Sequence, residues 1–300
     1  MSVDATVALR AAADHTPGGS QATAGPRPAP TSRMPRRGLL VALLAALLAA
    51  GTLAAAPAPA SAAGIKVAVV VGPSGSLTST YISHAKAYAA QARSYGATVV
   101  QVYTPKATWA RVRSAVQGAN LLVYLGHGNG FPNPYSSRLD PNKVNGLGLN
   151  PSLTSGNTRT AYYGEYYVRT QIKLAPNAVV IYNHACYTAG SSEPGRANPS
   201  LSVAKQRVDN HAAGWLRTGA RTVFAETLGR ASYILKHLFT SSKAMSDIFW
   251  ASPDKTWSYR TSFASKRTPG ASGILDPRRP GAFYRAVVGE LSMTAADWRG

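Results

Sequence analysis

Five short runs of aliphatic and β-branched residues recur along the chain: Lys66–Val71, Thr98–Tyr103, Asn120–Leu125, Ala178–Tyr182 and Thr222–Ala225. Each has the length of a strand and too little length for a helix. Stretches of helical spacing separate them. Tyr81, Ala85, Tyr88, Ala92 and Tyr95 form one such stripe, closed by Gly96; Trp109, Val112 and Val116 form another, closed by Gly118. A third helix is predicted near Val203–Thr218, before Gly219. Nearly continuous apolar strands alternating with helices predict an α/β fold: a mostly parallel sheet covered by helices on both faces, a three-layer sandwich. The stretch from Phe131 to about Asn157 is expected to be a long loop, with a short helix over Tyr162–Ile172. Leu235, Leu238, Phe239, Met245, Ile248 and Phe249 predict further helix, and the last fifty residues read as loop-rich.

Ahead of the first strand, Arg33, Arg36 and Arg37 precede the apolar run LLVALLAALLAA and the small residues Ala60-Ser61-Ala62. That order is the pattern of a secretory signal, with cleavage expected after Ala62. The apolar run falls short of the roughly 20 residues that span a bilayer, so no stable membrane span is expected after cleavage. The organisation expected is a disordered N-terminus plus signal over residues 1–62, an α/β domain over 63–250, and a loop-rich extension over 251–300 that packs on the same domain. The location expected is secreted, extracellular or at the cell envelope.

The formal net charge is +20. The basic residues are scattered, without a dense block or a helix-turn-helix or RNA-binding signature, so nucleic acid is not the expected partner. A basic secreted protein is drawn instead to anionic cell envelope. One cysteine excludes an intramolecular disulfide and a zinc site of several thiolates.

In parallel sheets the reactive groups gather at the carboxyl ends of the strands. Two candidates stand there. His127, in Gly126-His127-Gly128-Asn129-Gly130, follows the third run; Cys186, in Asn183-His184-Ala185-Cys186, follows the fourth. An imidazole beside a thiol takes its proton or stabilises the thiolate, and cysteine attack on an amide carbonyl is the natural reaction. The amides of Gly128 and Cys186 are placed to hold a developing oxyanion. A lone cysteine beside an apolar strand is by default a packing residue. Here Asn183 and His184 before it, and Tyr187-Thr188-Ala189-Gly190 after it, mark a strand that has left the core.

The segments LLVYLGHG (Leu121–Gly128) and VVIYNHAC (Val179–Cys186), followed by GWLRTGARTVFAE (Gly214–Glu226), resemble the caspase-like superfamily of caspases, legumains, gingipains, clostripains and separases. The resemblance covers roughly residues 65–249. It implies a caspase/hemoglobinase-like fold and a cysteine peptidase acting on peptide or protein substrates. Cys186 would be the nucleophile, His127 the general acid/base, and Gly128 part of the oxyanion hole. A non-catalytic envelope, glycan- or peptide-binding module of the same fold is the alternative.

Other constellations are weaker. His184 and Cys186, with His127, have a poor zinc spacing; His184 reads better as a satisfied polar residue at the strand end, with orienting Cys186 as the alternative. Glu226, Glu165 and Asp209 are candidates for selecting a basic substrate side chain. The segment Asp140–Gly146 is oxygen-rich and a weak candidate for calcium, but it lacks the acidic count and terminal Glu of a calcium loop; a polar turn is the favoured reading, and no other cofactor is expected. No Gly-x-Ser-x-Gly elbow occurs. Tyr162, Tyr163, Tyr166 and Tyr167 form an aromatic cluster, read as packing over the core.

Overall fold

The structure, a computed structural model, describes residues 64–300; the signal read over residues 1–62 lies outside them. Strand β1 (Lys66–Val71) leads through a 3-10 turn into helix α1 (Thr78–Ser94). Strand β2 (Thr98–Tyr103), helix α2 (Trp109–Val116) and strand β3 (Leu121–Leu125) follow. The short strands β4 (Leu147–Leu149) and β5 (Ala161–Tyr163) pair as an antiparallel ribbon before helix α3 (Glu165–Gln171). Strand β6 (Ala178–Asn183), helix α4 (Leu201–Trp215) and strand β7 (Ala220–Glu226) complete the alternating part. Helices α5 (Ser232–Thr240) and α6 (Met245–Trp250), strands β8 (Thr261–Ala264), β9 (Ser272–Leu275) and β10 (Arg285–Gly289), and helix α7 (Ala295–Arg299) end the chain.

Eight strands make one sheet in the order β2-β1-β3-β6-β7-β10-β9-β8. The first five are parallel, and β10, β9 and β8 are antiparallel to their neighbours. The chain thus winds outward from β1 in both directions, with the switch between β1 and β3.

Period-two alternation divides the central strands between two cores. Val67, Val69 and Val71 of β1, Leu121, Val123 and Leu125 of β3, and Val179 and Ile181 of β6 face one, under α1, α5, α6 and α7. Ala68 and Val70, Leu122 and Tyr124, and Val180 and Tyr182 face the other, under α2, α3 and α4. Every residue of β3 and β6 is buried because both faces are covered. Edge strand β2 is buried nowhere along its length and carries Thr98 and Gln101 exposed.

Two expectations need correction. The loop expected over 131–157 contains β4, and the helix expected over Tyr162–Ile172 begins only at Glu165, because Ala161–Tyr163 pairs with β4 as a strand; Gly146 lies against Tyr163 and Gly164 too closely for a side chain. Within the last fifty residues, three strands and α7, 18 residues in all, join the same sheet and core, and the rest is loop and turn.

Candidate active site

Strands β3 and β6 are parallel neighbours, with Leu125 opposite Asn183. His127 and Cys186 therefore leave adjoining strand ends. Gly128 brings the two loops together. A Cβ there would collide with the Cys186 carbonyl oxygen and lie 2.9 Å from the Cys186 nitrogen. Only glycine permits that approach.

The backbone before His127 and a hydrogen bond to its carbonyl position it. Gly126 holds φ +154, and the Tyr124 hydroxyl lies 2.8 Å from the His127 carbonyl oxygen. That hydroxyl also accepts from the Gly148 amide at 3.0 Å, tying the β4 ribbon to the site. The His127 side chain is exposed at the surface. Burial by the packed loops still lowers its pKa from the ordinary imidazole value, opposed by the negative charge of Glu193.

Cys186 sits in a tight turn between two non-glycine residues with left-handed backbone, His184 (φ 60) and Tyr187 (φ 66). Such conformations persist only where surroundings hold them. The His184 amide donates to the Glu226 carbonyl oxygen at 3.0 Å. Its ring stacks on Tyr81, 5.0 Å between centroids and 8° from parallel. Nδ1 lies 3.2 Å from the Thr227 carbonyl oxygen, which requires a proton on Nδ1. Nε2 then accepts from Nδ1–H of His84 at 3.1 Å. Burial, then His84, push the His184 pKa down to about 4. His184 is thus a neutral, fixed support for the cysteine turn.

The Cys186 thiol is half-buried. Burial, then the charge of Glu193, push it up to about 11. Among the described residues it makes no hydrogen bond with His127, and neither the Gly128 nor the Cys186 amide donates to another residue. At neutral pH Cys186 is a thiol and His127 a neutral imidazole, carried on loops that leave adjoining strands.

Glu226 contributes to the site through its backbone. Its carbonyl accepts from the His184 amide and, at 2.7 Å, from Asn183 Nδ2. Its carboxylate faces away, bonded to Arg285 Nε at 3.0 Å and to the Tyr233 hydroxyl. Arg285 is shared with Asp276, and burial outweighs its pull, raising the Glu226 carboxyl to about 7. The side chain is 1% exposed, so it cannot meet a substrate cation. Glu165 is likewise held by Arg267 at 2.7 Å, and Asp209 accepts from the Lys266 and Arg267 amides at 2.7 and 3.2 Å. These pairings remove all three carboxylates from the role expected of them.

Glu193, a residue the sequence reading passed over, stands closer to the chemistry. Its Oε1 accepts from the Tyr187 hydroxyl and from the Tyr135 hydroxyl at 2.7 Å. Its position seven residues after the cysteine, in a chain with 12 acidic residues, was the available signal. Tyr81 and His84 were also legible as one face of α1, three residues apart.

Among the described residues no group of three or more His, Cys, Asp or Glu is arranged to hold a metal ion, and no helix is long and apolar enough to cross a membrane. Asp140 instead accepts from the Asn142 amide at 3.0 Å, a polar turn. Tyr163 of the aromatic cluster stacks on Trp109 at 5.0 Å. A groove of about 720 Å³ runs along β2 and α2, lined by Val100, Val102, Pro105, Lys106 and Arg111, and includes none of the site residues.

No family model matches the chain, and no curated protein matches it. Among solved structures, it is similar to protein GSU0716 from Geobacter sulfurreducens at 14% identity and a TM-score of 0.31, over 62% of this chain and 86% of that one.

Proposed function

We propose that this chain is a secreted cysteine peptidase-like hydrolase of caspase-like architecture, acting on peptide or protein substrates through Cys186 and His127. The observation that carries the reading is the contact of Gly128 with the Cys186 backbone, which joins the loops leaving two adjoining parallel strands. The left-handed turn around Cys186 supports it, because strained backbone gathers at working sites.

In the reaction, the Cys186 sulfur attacks the scissile carbonyl carbon while His127 takes the thiol proton. The carbonyl oxygen becomes an oxyanion held by the Gly128 and Cys186 amides, each such donor being worth about 3 kcal/mol. The C–N bond breaks, His127 gives its proton to the leaving amine, and an acyl thioester remains on Cys186. Water, deprotonated by His127, then releases the acid and restores the thiol.

The test is labelling of the mature protein by a thiol-reactive peptide probe, alongside Cys186→Ala and His127→Ala. Labelling is expected to vanish in the first and fall at least about tenfold in the second, the scale of a lost general base. Equal labelling of wild type and His127→Ala counts against the dyad.

A second reading has its own support. The raised thiol and its lack of a hydrogen bond to His127 favour a non-catalytic envelope or ligand-binding module of the same architecture. A thiol that resists maleimide in native buffer, and reacts only on denaturation, selects that reading.

A further inference from the structure

Glu193 bridges the loops that leave the two site strands. Tyr187, directly after Cys186, is buried and packs its Cβ near Gly130 of the histidine loop. Tyr135 comes from the far end of that same loop and is 61% exposed. Both phenols donate to Oε1 of Glu193. Oε2 has no hydrogen-bond partner and no cation at salt-bridge distance among the described residues. Two guanidiniums lie within range of its charge, and both are committed. Arg207 bonds to the Pro132 and Gly190 carbonyls and to Ser192 Oγ, with its plane over Tyr187. Exposed Arg196 lies over the Tyr135 ring at 5.5 Å and reaches its hydroxyl at 3.4 Å. That second contact marks the face as one that attracts a guanidinium.

We propose that Glu193 is the specificity carboxylate of this site and takes a lysine or arginine side chain of the substrate on Oε2. The inference rests on the peptidase reading and names its substrate class. A fixed carboxylate with one open oxygen beside exposed phenol is built for a cationic ligand. The same placement links binding to reactivity. The charge of Glu193 is one cause of the raised Cys186 thiol, so a cation bound there offsets it and eases loss of the thiol proton.

The experiment has two arms on the mature protein. In the first, peptidyl chloromethyl ketones ending in arginine, alanine or glutamate label Cys186. The arginine probe is expected to react at least about tenfold faster than the alanine probe, and Glu193→Gln to reduce that advantage to about twofold or less. Gln keeps an oxygen for both phenols, and its thermal midpoint checks the fold. Equal wild-type rates, or an advantage that survives in Glu193→Gln, overturn the inference while leaving the peptidase reading intact. In the second arm, iodoacetamide alkylates Cys186 with and without agmatine. Agmatine is expected to accelerate the wild type and leave Glu193→Gln unchanged; no acceleration of the wild type counts against a cation site. If iodoacetamide reacts and no peptidyl probe does, the peptidase reading fails, and the agmatine result alone decides the role of the carboxylate.

Discussion

Gly128 occupies a position where a methyl group meets the Cys186 backbone rather than a movable side chain. Gly128→Ala must therefore push the histidine and cysteine loops apart. The expected outcome is a fold that still unfolds cooperatively, with thiol-probe labelling reduced by about tenfold or more, as misplacement of this order produces elsewhere. Labelling at the wild-type rate would show that the close approach is dispensable. His211 of α4 makes a separate, stability-linked point. It is 1% exposed, its Nδ1 faces the Arg207 carbonyl oxygen at 3.3 Å, and among the described residues its Nε2 has no partner. Burial pushes its pKa down to about 4 from 6.5. The folded state thus resists a proton that the unfolded chain accepts. The resulting stability is complete above the unfolded value and is lost as pH falls from 6.5 towards 4. His184 acts in the same direction. Urea midpoints measured from pH 7 to 4 should fall, and His211→Met should remove a share of up to about 3 kcal/mol of that decline.

Between elements, Tyr88 joins three pieces of the fold. Its hydroxyl donates from α1 to Asn183 Oδ1 at the end of β6, at 2.8 Å, and accepts from the Ala231 amide before α5, at 3.0 Å. Asn183 in turn donates to the Glu226 and Gly229 carbonyls at 2.7 and 2.8 Å. Tyr88→Phe keeps the ring packed and leaves a buried oxygen and a buried amide unpaired. A loss of about 1–3 kcal/mol is expected in urea unfolding. Because Asn183 begins the turn that carries Cys186, probe labelling should slow as well. A stability loss with an unchanged labelling rate would separate this bridge from the site.

At the level of the whole molecule, Arg285 ties the C-terminal strands to the parallel half of the sheet. It leaves β10 to meet Glu226 of β7 at 3.0 Å, Asp276 after β9, and the Phe249 carbonyl at 2.7 Å. Removing the guanidinium leaves buried carboxylates without a cation. Arg285→Met is expected to cost about 3–5 kcal/mol, the usual scale for breaking a buried pair from one side. The measurement belongs at pH 8, where Glu226, raised to about 7, is charged. For the same reason a chain ending at Trp250 should not fold to the native state, since β7 loses β10 and Glu226 loses its partner. A cooperative melt from that truncation would show the C-terminal strands to be an accessory.

The alternation of apolar runs with helical stripes was enough to place a doubly covered, mainly parallel sheet and to put His127 and Cys186 at strand ends. Local chemistry decides those features: a run such as Lys66–Val71 can bury both faces only inside such a sheet. The strands after residue 250 were illegible because they are antiparallel edge additions, as short as four residues, whose burial comes from β7 and from each other. The carboxylates were illegible for a related reason. Glu226, Glu165 and Asp209 look no different from Glu193 in sequence. Their cations and amides arrive from 57 to 102 residues away, and only the folded chain reveals which acid is already paired.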